Sequence, residues 1–144
     1  SYGPEQRGGT ANCAVVISGQ PIGSPVVTEA DVLVAMNRPS LEKFAGEVKQ
    51  GGLLLYNAAI GEFPAPEGVR TLAVPALELA TEAGCPRAAN TAMVGVLAAL
   101  GGFGLSDETY RQALATNFAG KEAVIRENQA VFAWAKQWGE RQKV

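Results

Sequence analysis

The sequence predicts an α/β fold in three layers, α/β/α, with a mainly parallel open sheet carrying helices on both faces. Short apolar, β-branched runs recur through the first half of the chain, bounded by glycine and proline. They are nearly continuous rather than alternating, as expected of strands covered on both sides. Helical segments separate them and fill the last third, and no linker marks a boundary, so residues 1–144 are expected to form a single domain.

Residues 11–18, with Val15, Val16 and Ile17 at their centre, are expected to form the first strand. Gly19 and Gln20 make a turn, and residues 21–25, closed by Pro21 and Pro25, a short constrained crossing. Residues 31–36 are the second strand and 39–47 a short helix, with Pro39 suited to a first turn where no N–H is needed. Gly51 and Gly52 are expected to turn the chain into a third strand at 53–56. Residues 64–68 form a surface loop, and 70–74 a fourth strand ahead of Pro75, which opens a helix through residue 83. After Gly84 and Pro86 come helices at 88–100, at 106–117 with Ser106 as its cap, and at 121–142.

Composition excludes several functions. The chain is 47% hydrophobic and 18% charged, enough for one sizeable core. A net charge of -2 with twelve scattered basic residues gives no field for nucleic acid or an anionic membrane. Cys13 and Cys85 are far apart and histidine is absent, so no metal ligands are expected from this chain, and both cysteines read as free thiols in a reducing compartment. The uncharged stretch 88–106 has the length of a membrane span. Its alanines, glycines and Asn90 fit a buried packing helix instead, and Ala92, Gly95, Ala99 and Gly102 recur at spacings of three or four. That stripe is expected to pack closely, within this chain or against another subunit, with self-association as the fallback for an isolated chain.

Catalytic residues are not found: no histidine, no base beside either cysteine, and Glu5, Asp31 and Glu78 are scattered singles. Binding candidates lie in loops. Asn37 follows the second strand, with Arg38, Pro39 and Ser40, at the carboxyl edge where open α/β sheets place ligands. Asn37 either caps the helix or faces a ligand. Asn57 repeats the arrangement after the third strand, with Tyr56 packing its ring and exposing its hydroxyl. Asn90 and Asn128 either satisfy nearby backbone groups or meet another subunit. In the opening segment, Arg7 offers a charged planar fork to a phosphate, a ligand carboxylate or an acidic side chain. Gly8 and Gly9 let the backbone approach, and Tyr2 adds a flat surface.

The motifs Tyr2-Gly3-Pro4-Glu5, Arg7-Gly8-Gly9, Asn12-Cys13-Ala14-Val15-Val16-Ile17-Ser18, Pro21-Ile22-Gly23-Ser24-Pro25, Met36-Asn37-Arg38-Pro39-Ser40-Leu41 and Gly51-Gly52-Leu53-Leu54-Leu55-Tyr56-Asn57 run in one order. With Val74-Pro75-Ala76 and Arg87-Ala88-Ala89-Asn90 they resemble the gamma subunit of 2-oxoacid:ferredoxin oxidoreductases, in the 2-oxoglutarate or 2-oxoisovalerate (ketoisovalerate) branch. The resemblance covers nearly the whole chain. It implies a Rossmann-like domain whose opening strand, glycine-rich turn and helix, roughly 30 residues, would precede Ser1.

The resemblance further implies an accessory, non-catalytic subunit of a cytoplasmic complex that converts a 2-oxoacid to acyl-CoA and reduces ferredoxin. Thiamine diphosphate, magnesium and iron-sulfur clusters would belong to partner alpha, beta and ferredoxin-like delta subunits. Tyr2, Arg7, Gly8, Gly9, Asn37 and Asn57 would be the cofactor-binding positions, toward coenzyme A or the adjoining subunit. A pyruvate or indolepyruvate oxidoreductase shares this reading. A stand-alone nucleotide-binding regulatory module is the reading from another class, against which stands the lack of a phosphate-cradling glycine loop leading into a helix.

Overall fold

The structure is a computed structural model that describes residues 12–23 and 27–144. Contacts group the chain into two compact units, residues 1–73 and 74–144, each taken by itself below.

In the first unit, β1 (Ala30–Ala35) leads through α1 (Arg38–Phe44) and a 3-10 turn (Ala45–Glu47) into β2 (Val48–Asn57). A further 3-10 turn (Ala58–Ile60) and a loop lead to β3 (Arg70–Val74), at the unit boundary. The sheet order is β1-β2-β3, and β1 and β2 pair in parallel, so α1 is the crossover that parallel neighbours require. The α/β class with parallel pairing is therefore as expected. Leu53, Leu54 and Leu55 are each fully buried although successive side chains point to opposite faces, so both faces of β2 are covered.

Two expectations about this unit are corrected. Residues 12–18 form no strand, and Val15 and Ile17 are exposed. An apolar β-branched run meets the local requirement of a strand, but a strand also needs a regular ladder with a neighbour, and residues 13–18 join no sheet among the described residues. Gly51 and Gly52 do not turn the chain either; they lie inside β2. Ala30 pairs with Val48 but Val32 with Leu53, so β2 carries extra residues at a bulge where Gly51 adopts φ +79. At Gly52 a Cβ would come within 2.8 Å of Lys49 O and 2.9 Å of Asp31 O, so only glycine lets the neighbouring backbones close.

The first unit's core joins Ala35 of β1, Leu41 of α1, Ala45, and Leu54 and Tyr56 of β2, with Leu33, Ile60, Phe63, Val69 and Ala73 against it. Leu41, wholly buried, is the single side chain that α1 buries. Burial of a leucine contributes about 1.5–3 kcal/mol, enough to hold a helix this short on its sheet.

The second unit contains α2 (Ala76–Glu82), a 3-10 turn (Pro86–Ala88), α3 (Ala89–Leu100), α4 (Asp107–Asn117) and α5 (Glu122–Glu140). Pro75 stands at the N-cap of α2 and Ser106 caps α4, its hydroxyl accepting from Thr109 N at 3.2 Å. Helices α3 and α5 meet through reciprocal small residues. A Cβ on Gly95 would sit 2.6 Å from Phe132 O, and one on Gly139 would sit 2.9 Å from Ala99 Cβ. The close-packing stripe of α3 therefore finds its partner within this chain. Gly102 does not belong to it: α3 ends at Leu100, and Gly102 has φ +69 with open space around it. On α4, Tyr110 stacks on Phe132 of α5 with ring centroids 5.1 Å apart. Among the described residues, no helix is long and apolar enough to cross a membrane.

Candidate functional site

The parallel pairing of β1 and β2 ends at Ala35 opposite Tyr56, which delivers Met36 and Asn57 side by side at the carboxyl edge. Asn57 Nδ2 reaches Met36 O at 3.5 Å, and its Oδ1 accepts from Ala59 N at 3.2 Å, starting the 3-10 turn. Asn37, one residue beyond Met36, accepts from Ser40 N at 3.0 Å and caps α1. The structure thus brings Asn37 and Asn57 to one edge and occupies both amide oxygens with local backbone. Tyr56 is 7% exposed, its ring edge-to-face with Phe63 at 6.1 Å. Beside it lies an open surface depression of about 520 Å³, lined by Tyr56, Glu62, Phe63 and Pro64. Tyr2, Arg7, Gly8 and Gly9 lie outside the described residues.

Arg38 organises this edge. Its Nη2 donates to the carbonyls of Ile60 and Glu62, both at 3.0 Å, while Nη1 reaches Glu42 Oε1 at 3.4 Å. The loop after β2 is thereby tied to the start of α1. A cation directly after a strand, with Asn37 before it and Pro39 after, was the available signal, but partners more than twenty residues away in sequence leave no local pattern.

A second polar group lies in the second unit, around a cavity of about 260 Å³ whose lining includes Cys85, Arg87, Asn90, Thr91, Glu127 and Asn128. The buried Cys85 thiol is 3.5 Å from Glu127 Oε2. Buried Asn128 accepts from the Thr91 hydroxyl and donates to Val124 O, so of its two expected roles the structure gives it the local one. Asn90 is exposed in the first turn of α3, whose N-cap residue, Ala88, makes no side-chain cap.

Among the described residues no group of three or more His, Cys, Asp or Glu can hold a metal ion.

A parallel β-α-β unit with polar loops at its carboxyl edge belongs to the Rossmann-like α/β class, which places ligands at such edges. Within that class, residues 1–138 match the pyruvate ferredoxin/flavodoxin oxidoreductase family, and the chain belongs to that family. It is 51% identical over 138 residues to the ketoisovalerate oxidoreductase subunit VorA of Methanothermobacter marburgensis, covering 96% of this chain and 29% of that protein. It is 36% identical over 103 residues to the 2-oxoglutarate synthase subunit KorC of Methanocaldococcus jannaschii, covering 69% of this chain and 55% of that one. The chain therefore spans less than a third of the ketoisovalerate relative. Among solved structures, the gamma subunit of a keto/oxoacid ferredoxin oxidoreductase from Geobacter sulfurreducens superposes with a TM-score of 0.66 at 25% identity, covering 76% of this chain and 63% of that chain. A 2-oxoglutarate:ferredoxin oxidoreductase from Magnetococcus marinus, with 2-oxoglutarate, coenzyme A and succinyl-CoA bound, also gives 0.66, at 28% identity over 78% of this chain and 20% of that chain.

Proposed function

We propose that this chain is the gamma-type part of an enzyme that oxidatively decarboxylates a 2-oxoacid, transfers the acyl group to coenzyme A and reduces ferredoxin, with ketoisovalerate as the 2-oxoacid. The observation that carries the reading is the 51% identity over 138 residues to a ketoisovalerate oxidoreductase subunit, against 36% over 103 residues for a 2-oxoglutarate synthase subunit. The chain acts as an accessory: it supplies packing surfaces and a polar sheet edge, while thiamine diphosphate, magnesium and iron-sulfur clusters reside in partner alpha, beta and ferredoxin-like delta elements. Its place is the cytoplasm. Asn37 and Asn57 shape the loops at the sheet edge through their backbone hydrogen bonds, and Tyr2, Arg7, Gly8 and Gly9 serve coenzyme A or the neighbouring subunit.

Purification from the native cell tests this reading. The chain is expected to co-purify with a thiamine-binding element and an iron-sulfur protein. Recovery as a lone monomer under conditions that preserve other assemblies would overturn the proposal.

A further inference from the structure

The loop between β2 and β3 is fastened at its two ends by different means. At the far end Gly51 N donates to Gly68 O at 2.7 Å and Gln50 Nε2 to Glu67 O at 3.0 Å, so the bulge of β2 anchors residues 67 and 68. At the near end an arginine does the holding. Arg38 Nη2, from the first turn of α1, donates to Ile60 O and Glu62 O, both at 3.0 Å, on either side of Gly61 at φ +92. Between the ends Phe63 lies edge-to-face on Tyr56. Arg38 also has a second acceptor. Glu42, one turn along α1, brings Oε1 to 3.4 Å from Nη1, longer than a close charge-assisted bond. With side chains 45% and 58% exposed, the two have room to close into a bidentate pair, which would take the guanidinium away from the carbonyls.

We propose that residues 60–64 form a strap with a two-position latch: it is closed over Tyr56 while Arg38 holds the carbonyls of Ile60 and Glu62, and open when Arg38 pairs with Glu42 instead. Exposed ion pairs and exposed hydrogen bonds to carbonyls each contribute little, so the two positions lie close in free energy. Gly61 tolerates the backbone change that release demands, while Pro64 and Pro66 stiffen the chain beyond it. The freed part therefore moves as a piece about the anchored residues 67 and 68. Tyr56, 7% exposed in the closed position, gains solvent as Phe63 leaves its ring. The strap opens without loss of the sheet, because the bond from Gly51 to Gly68 lies on the anchored side.

The test measures amide hydrogen exchange and the rate of Tyr56 nitration by tetranitromethane, mapped by mass spectrometry, in the native assembly and in its Arg38→Lys and Glu42→Gln variants. Arg38→Lys cannot fork to two carbonyls, and is expected to speed both exchange at the Gly61 amide, which donates to Ala58 O, and nitration of Tyr56 by about fivefold or more. Exchange at the Gly51 amide should stay as in the parent. Glu42→Gln removes the charge that draws Arg38 to the open position, so it should slow both exchange at Gly61 and nitration of Tyr56. Unchanged rates at Gly61 and Tyr56 in Arg38→Lys overturn the latch. An equal rise at Gly51 means that the loop is lost as a whole, which overturns the anchored strap. Rates in Glu42→Gln that match or exceed those of the parent overturn the second position.

Discussion

The Thr91 hydroxyl donates to Asn128 Oδ1 at 2.5 Å, joining α3 to α5 at a point where Thr91 is 7% and Asn128 4% exposed. Asn128 in turn donates to Val124 O at 2.9 Å, one turn back on its own helix. Thr91→Val keeps the side-chain shape but deprives the buried amide oxygen of this donor, and is expected to cost about 1–3 kcal/mol. Combining it with Asn128→Leu removes both polar partners and should cost less than the two single losses added together. A double-mutant cycle in urea measures the coupling. Simple additivity would mean that the pair is not acting as a buried unit.

Gly95 sets two effects of opposite sign against each other. Replacing a mid-helix glycine by alanine favours the helix by about 1 kcal/mol. Here the new Cβ would lie 2.6 Å from Phe132 O, a backbone atom that cannot rotate aside. Overpacking of this kind costs about 1–3 kcal/mol, so Gly95→Ala is expected to lower the melting temperature and Gly95→Leu to lower it further. Gly46→Ala is the control, since nothing lies within 4 Å of its added carbon. A Gly95→Ala variant that melts no lower than the parent contradicts the close approach of α3 and α5.

Asn37 separates capping from ligand binding. Loss of the bond to Ser40 N in Asn37→Ala is expected to destabilise the chain by about 0.5–2 kcal/mol, whereas Asn37→Asp retains an acceptor and should stay near the parent. The readouts are denaturation and activity of the assembled enzyme. If Asn37→Asp preserves stability but loses activity, the amide nitrogen has a role beyond the cap.

Lys136 titrates above its ordinary value, chiefly because it donates to Asp107 at 2.7 Å. A lysine whose folded pKa is raised adds stability that is full below its unfolded value, near 10.5, and lost as pH climbs through the folded value. With its side chain 23% exposed and that of Asp107 47% exposed, the pair is worth about 0.2–1 kcal/mol. Lys136→Met should therefore melt slightly below the parent at pH 8, with the gap closing at strongly alkaline pH. A gap that persists there unchanged would show that the lysine stem, not the charge, provides the stability.

The parts legible in the sequence were those with local causes. β3 lies at residues 70–74 as expected because its apolar run is bracketed by Gly68 and Pro75, and α4 begins where Ser106 can cap it. Gly51 and Gly52 were misleading: glycine marks a positive φ or a close approach, but not whether the chain reverses there or bulges within a strand. Residues 13–18 have a strand's composition but join no sheet among the described residues, and composition does not encode pairing. The positions of Asn37 and Asn57 at one sheet edge were legible because strand ends are visible in the sequence. The role of Arg38 was not, because it depends on carbonyls at Ile60 and Glu62 that only the fold brings within reach.

The native assembly is to be assayed for acyl-CoA formation coupled to ferredoxin reduction, with ketoisovalerate, 2-oxoglutarate and pyruvate supplied separately. Turnover is expected to depend on coenzyme A, with the highest kcat/KM for ketoisovalerate. Turnover favouring 2-oxoglutarate or pyruvate would contradict the substrate assignment. Absence of coenzyme A-dependent ferredoxin reduction with all three, in an assembly shown to retain thiamine diphosphate and its iron-sulfur clusters, would contradict the function itself.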